Sequence, residues 1–431
     1  MLAYGRIAGG CMRLLYTLCW YLAVPWLLLR LWWRGRLAPG YRRRWRERLV
    51  FGQRPADQDC VWIHAVSVGE TLAAAPLIRA LLKRYPDTPL LVTTTTPTGS
   101  ERVQALFGDQ VHHVYCPWDL PGAVARFFSA WRPRLLLVME TELWPNLVAA
   151  AAQRQVPVVL VNGRLSEKSY RGYARFDSLV RPMMQGLSRL LVQAEADAER
   201  FRALGAESVE VTGSIKFDLE LSAELRQQAA ALRRSMGERP VWIAASTHPG
   251  EDEIVLAAHR QVLARYPQAL LVLVPRHPER FDRVAAQVQG QKMTLARRSA
   301  AQSPAEVQVY LADTMGELLM LFGAADVALV AGSLLPPLGG HNLLEPAAWS
   351  MPVVSGPYLK NFATIAQWLA TDDALLLVRD EQALARAVLT LFDDPARRRA
   401  LGESANAVVD RHRGALERVL QGVAGCWPSD A

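Results

Sequence analysis

Short, almost wholly apolar runs separated by helical stretches constrain this chain more than any other feature. VWIHAV (61–66) precedes TLAAAPLIRALLKRY, and LLVTTT (90–95), RLLLVME (134–140), PVVLVN (157–162), RLLVQA (189–194) and VEVTG (209–213) follow in the same rhythm. Strands with one wet face alternate apolar and polar residues. Runs that are apolar throughout are buried on both faces, which calls for a parallel sheet with helices above and below. The rhythm pauses over the polar helical segment 217–240 and restarts with VWIAAS (241–246), LLVLVP (270–275), VQVYLAD (307–313), DVALVAG (326–332), PVVSG (352–356) and LLLV (375–378). The pattern predicts two doubly wound, Rossmann-like α/β domains, 37–216 and 241–431, joined by 217–240, the second carrying C-terminal helices. Such sheets bind ligands beyond the carboxyl ends of their strands, so two facing domains make a cleft with a pocket from each side.

Ahead of the first strand, residues 1–36 read as a membrane anchor with a basic flank. Sixteen uncharged residues, LLYTLCWYLAVPWLLL, lie between Arg13 and Arg30, followed by Leu31, Trp32 and Trp33. As a helix they span about 24 Å, short of the ~30 Å hydrocarbon core, a gap that snorkelling arginines can close. Pro25 predicts a kink. The stretch RGRLAPGYRRRWRER suits anionic lipid. A cleaved signal peptide needs small residues where arginines and tryptophans stand, and a buried core helix does not tolerate such flanks. A single anchor remains, spanning or interfacial, with everything after it in the cytoplasm. Residues 1–54 hold eleven arginines, no lysine and one acid, Glu47, so despite a net charge of +8 the body of the chain is slightly acidic. That excludes a general nucleic-acid surface. The five scattered cysteines, with no CxxC pair, exclude a disulfide framework and a thiolate zinc site.

Three strand-to-helix turns share one design: Ser67-Val68-Gly69-Glu70, Thr314-Met315-Gly316-Glu317 and Asn342-Leu343-Leu344-Glu345. Each fits a capping box, a cap residue with Glu three positions on. Each also fits an anion site, where glycine lets a phosphate approach helix N–H groups, and Gly332, Gly339 and Gly340 favour the third turn. Neither a Walker A loop nor GxGxxG is present, which argues against kinases and ordinary nicotinamide enzymes. Arg276 and His277 end the LLVLVP strand, where a guanidinium grips a phosphate or simply faces solvent. The acids Glu251–Glu253 complement a helix dipole. Glu140 and Glu142 end another strand, and Lys216 closes the first domain. The eight histidines show no metal spacing, and metal-free chemistry is expected.

In order along the chain, HAVSVGE (64–70), TTTTPTGSER (93–102), METELWPN (139–146), NGRLSEKSY (162–170), GSIKFD (213–218), STHPGE (246–251), PRHPERF (275–281), DTMGEL (313–318) and GGHNLLEPA (339–347) resemble the Kdo (3-deoxy-D-manno-oct-2-ulosonic acid) transferases of Gram-negative lipopolysaccharide synthesis. The resemblance implies a GT-B fold, an anchored enzyme on the cytoplasmic side of the inner membrane, CMP-Kdo as donor and the tetraacyl lipid A precursor, lipid IVA, as acceptor. It assigns Glu70 as catalytic base and Glu140 and Lys216 to transition-state stabilisation. Arg276, His277, Met315, Gly316, Glu317, Asn342, Leu343, Leu344 and Glu345 match the CMP-binding segments. Ala331, Pro337-Leu338 and Tyr358-Leu359-Lys360 depart from the family's pattern around the donor. The chemistry implied is a single displacement with inversion at Kdo C2, without metal or other cofactor. Glu70, at a helix N-terminus, is expected to keep a low pKa. Two other readings fit the same residues: a GT-B enzyme using another nucleotide sugar on a lipid-linked acceptor, or an inactive membrane-tethered scaffold. Nothing in the sequence sets the number of Kdo units or the oligomeric state.

Overall fold

The computed structural model describes residues 2–36, 39–52 and 58–428. Met1 of the expected anchor and Leu37 and Ala38 of its basic flank lie outside the described residues. The chain forms two compact units, Leu219–His412 and a discontinuous one made of Met1–Asp218 with Arg413–Ala431.

The first unit is built on β1 (Cys60–His64), β2 (Leu90–Thr94), β3 (His112–Tyr115), β4 (Pro133–Met139), β5 (Val158–Gly163), β6 (Arg189–Val192) and β7 (Val209–Val211). They form one parallel sheet in the order β3-β2-β1-β4-β5-β6-β7. Ile63 is in register with Val92 on one side and Leu137 on the other. The apolar runs serve both faces, as expected of a covered sheet. Trp62, Leu136, Val138 and Leu160 pack on Phe127, Leu147 and Phe201. Ile63, Leu135, Leu137 and Val159 pack on Leu77, Ile78 and Val419 on the opposite face.

The second unit repeats the plan with β8 (Val241–Thr247), β9 (Leu270–Pro275), β10 (Leu295–Arg297), β11 (Val309–Leu311), β12 (Val327–Val330), β13 (Val353–Ser355) and β14 (Leu375–Leu377). The order is β10-β11-β9-β8-β12-β13-β14, again parallel. In each sheet the strand order reverses beside the first strand, β1 next to β4 and β8 next to β12. That reversal opens the crevice where doubly wound sheets hold ligands.

Three features depart from the sequence pattern. The edge strands β3 and β10 are absent from it, because HHVY is polar and LAR is three residues long. Segment 217–240 is less a connection than a helix, Ala223–Met236, whose Ala229 and Met236 join the core of the second unit. The sequence places residues 413–431 in the second domain, but the helix Ala415–Ala424 packs in the first. Ala415, Val419, Leu420 and Val423 are buried there beside Leu191 and Ile215. Asp218 receives the N–H groups of Gly414 and Leu416, both at 2.6 Å, and so caps the returning helix. Gly422 lies against Leu191, where an added Cβ would come within 2.7 Å of the leucine side chain.

The N-terminal helix Leu2–Arg34 contains Pro25 and is long and apolar enough over Gly10–Arg34 to cross a membrane. Its two sides differ. Trp20, Val24, Leu27, Leu28 and Leu31 pack on the core of the first unit. Tyr16 donates to Asp119 (2.8 Å), and Thr17 exchanges hydrogen bonds with the Asn146 amide. The other side exposes Leu15, Leu18, Leu22, Trp26, Leu29 and Trp33.

Candidate active site

On the first unit the candidate residues meet at the carboxyl ends of β1, β4 and β7. Ser67 caps the helix Val68–Arg84, its hydroxyl accepting from the Glu70 N–H. Glu70 folds back in return. One carboxylate oxygen accepts from the Ser67 hydroxyl (3.0 Å), the other from the Val66 N–H (2.9 Å). The capping box is therefore real, and it holds the candidate base in one pose. The expectation of a low pKa is overturned. Glu70 is 9 % exposed, and burial pushes its carboxyl up to about 7 against the pull of the Val66 N–H, with Glu142 and Glu140 adding to the rise. Loss of water outweighs the helix dipole here. A carboxylate poised near neutrality is a stronger base than an ordinary one.

Glu140 follows β4 with φ 54°, a left-handed conformation that costs a residue with a β-carbon energy. Its carboxylate receives the Lys216 ammonium at 2.8 Å, with both side chains partly open to solvent. Asn162, also left-handed, accepts the Ile215 N–H and so fixes the turn that presents Lys216. Glu142, an acid the motif contains but to which the sequence reading gives no role, accepts from the Trp144 indole. Burial raises its carboxyl too, with Glu140 contributing. Glu70, Glu140, Glu142 and Lys216 thus occupy one edge of one sheet.

On the second unit the candidates gather beyond β8, β9 and β12. Arg276 follows β9, its N–H bonded to the Thr247 carbonyl, and its guanidinium has no carboxylate partner among the described residues. His277 is exposed beside it, with its ring edge-on to His248 at 5.2 Å. Asn342 donates to Glu345 (3.1 Å) and accepts from the Leu344 N–H. Burial raises the Glu345 carboxyl, opposed by Asn342 and by the charge of Arg276. Leu343 and Leu344 are wholly buried, so neither side chain presents itself to a ligand. Beyond β11, Met315 is exposed and Gly316 has φ 89°. Glu317 is already engaged by Arg298 and Thr314, and the helix starts only at Leu318, so this turn is not the capping box expected.

Glu251 does far more than complement a dipole. Its two oxygens accept the N–H groups of His248, Gly332, Ser333 and Leu334 at 2.8–3.0 Å, tying the β8 loop to the β12 loop. Asp252 meanwhile pairs with Arg280, which also reaches the Thr247 carbonyl. The only local signal for these clamps is acids just past Gly250. The Glu251 partners at 332–334 lie some eighty residues on, and the Asp252 partner Arg280 lies 28 residues on.

A family sequence model described as 3-deoxy-D-manno-octulosonic-acid transferase (kdotransferase) matches residues 43–219. The chain is 43% identical over 416 residues to the 3-deoxy-D-manno-octulosonic acid transferase of Haemophilus influenzae, covering 95% of this chain and 97% of that one. This chain belongs to the Kdo transferase family. The enzyme of the same name from Bordetella pertussis is 40% identical over 426 residues, covering 95% and 98% of the two chains. Among solved structures, the UDP-GlcNAc 2-epimerase of Neisseria meningitidis has a TM-score of 0.58 at 15% identity, covering 85% of this Kdo transferase and all of the epimerase. That likeness concerns the fold, a GT-B pair of Rossmann-like sheets. As a Kdo transferase the protein is a glycosyltransferase.

Proposed function

We propose that this Kdo transferase moves Kdo from CMP-Kdo to a sugar hydroxyl of lipid IVA, with inversion and without a metal, at the cytoplasmic face of the inner membrane. The observation that carries the reading is Glu70: a carboxylate held in one pose at the strand-order reversal of its sheet, its pKa displaced to about 7. It takes the proton of the attacking hydroxyl as the oxygen bonds to C2. Lys216, paired with Glu140, supplies positive charge beside that step. Arg276, the backbone of 315–317 and the turn Asn342–Glu345 hold CMP, whose phosphate takes the electron pair of the broken bond.

The N-terminal helix is proposed to lie in the membrane interface. One side is bonded and packed to the first unit from Tyr16 to Leu31, and the other offers leucines and tryptophans to lipid. Arginines of the following segment meet anionic headgroups. An acceptor that cannot leave the bilayer requires an enzyme held at its surface.

The test is a transfer assay read by mass spectrometry, with CMP-Kdo generated in place, lipid IVA as acceptor and Glu70→Ala alongside. Product from the wild type alone is expected, its mass counting the sugars added. Turnover retained in Glu70→Ala refutes the base assignment. Inhibition by UDP rather than CMP moves the donor to another nucleotide sugar.

A further inference from the structure

A pair of histidines in the second unit has no role in the reading above. The Nε2 atoms of His248 and His341 are 2.9 Å apart, and the rings lie nearly parallel, 8° between planes with centroids at 5.1 Å. At that distance one nitrogen carries a hydrogen and the other accepts it, so the two Nε2 atoms share one proton, and burial, which lowers both histidines, favours a neutral resting pair. The pair sits between the ends of β8 and β12, at the strand-order reversal of the second sheet. Its position is built. Gly332 has φ 72°, and a Cβ there would come within 2.5 Å of the His341 ring, while the Gly340 N–H bonds to the Gly332 carbonyl. His248 is held by its own N–H on Glu251.

The surroundings are electrostatically lopsided. Arg276, His277 and Arg280 face the pair from the segment after β9, and Glu251 faces it from the helix after β8. Arg280 is neutralised by Asp252, and both Glu251 oxygens are occupied by backbone N–H groups. Arg276 has no ion-pair partner among the described residues, and its charge also acts on the Glu345 carboxyl. Burial holds both histidines below their ordinary range, His341 at about 4, and Arg276 and the neighbouring rings push in the same direction. An arriving anion reverses the second contribution.

We propose that His248 and His341 act as one proton-sharing anion receptor for the phosphate of the donor nucleotide, so that nucleotide binding draws a proton from solvent into the pair. The proposal rests on the donor reading of this unit. The empty receptor is neutral and inexpensive to bury, and the occupied one is an imidazolium beside Arg276, matched to a phosphate. The proton comes from buffer and no covalent bond changes.

Isothermal titration of the full-length protein with CMP at pH 7.5, in buffers of different ionisation enthalpy, measures the protons taken up. Uptake approaching one proton per CMP is expected. Cytidine, which lacks the phosphate, is expected to bind without uptake. His248→Gln and His341→Gln are each expected to abolish uptake and weaken CMP roughly tenfold to hundredfold, leaving cytidine affinity unchanged. CMP binding with no buffer dependence in the wild type, a measurement that needs no variant, overturns the receptor and leaves the donor reading intact. Equal uptake with cytidine, or uptake surviving both substitutions, overturns it as well. No CMP binding at all overturns the donor reading and the receptor together.

Discussion

Displacing Glu70 from its ordinary 4.5 to about 7 corresponds to about 3 kcal/mol of disfavoured ionisation, and that displacement is directly measurable in turnover. If the ionised carboxylate is the base, kcat/KM rises through pH 7 with unit slope. Activity at pH 6 is then about a tenth of its plateau. Two substitutions move the midpoint in opposite directions. Glu142→Gln removes a nearby negative charge and lowers it by roughly half a pH unit, a modest change because burial is the leading cause. Ser67→Ala removes the hydroxyl that donates to the carboxylate and raises the midpoint. The second variant also loses a helix cap, which costs about 1 kcal/mol, so its unfolding must be followed in parallel. The assay is the initial rate of product formation from pH 5.5 to 9 under donor-limited conditions. A profile flat from 6 to 8, or midpoints that move together in the two variants, refutes the assignment. Stability supplies a second readout with a defined sign. A raised carboxyl pKa means that Glu70 favours the fold below about 4.5 and loses that contribution as pH rises through 7. Glu70→Gln should therefore gain thermal stability relative to wild type on going from pH 5 to pH 8.

Lys216→Ala should reduce kcat at least a hundredfold while costing under about 1 kcal/mol of stability, since the pair with Glu140 is partly solvated; rate and melting temperature measured on one preparation separate the two effects. Glu251→Ala releases four buried backbone N–H groups and should destabilise the second unit by about 3 kcal/mol or more, read as faster proteolysis of the loop after β12. Leu22→Glu with Leu29→Glu should release the protein from anionic vesicles in a flotation assay. Trp20→Ala, on the docked side, should instead loosen the helix from the first unit without abolishing flotation.

What the sequence revealed and what it concealed divide along one physical line: local pattern against distant partner. Runs such as VWIHAV and LLVLVP declare a covered parallel sheet because every position is apolar. The HHVY strand does not declare itself, because an edge needs only one neighbour. Glu70 was legible as a helix-capping acid and, through the family resemblance, as the candidate base. Its raised pKa was not, because burial, the leading cause, is set by the packing of the whole fold, and the acids that add to it, Glu142 and Glu140, come from the end of another strand. Glu251 was misjudged for the same reason, its partners lying at 332–334. The pairing of Glu317 with Arg298 was hidden in the same way, because the two are nineteen residues apart. The helix Ala415–Ala424 was expected only as one of the C-terminal helices of the second domain, because a helical stretch does not say which sheet it will cover.

That last helix bears on how the protein is made. The second unit is one continuous stretch, whereas the first lacks its final element until residues beyond 412 have been synthesised. Domains emerging from the ribosome ordinarily complete in the order they are translated. Here the order is inverted: core residues such as Leu191 and Ile215 wait uncovered while roughly 190 further residues are added, on the order of 10–40 s at typical elongation speeds. Throughout that interval the nascent chain carries an unfinished apolar face, the kind of surface that chaperones bind, while the second unit already has every residue it needs.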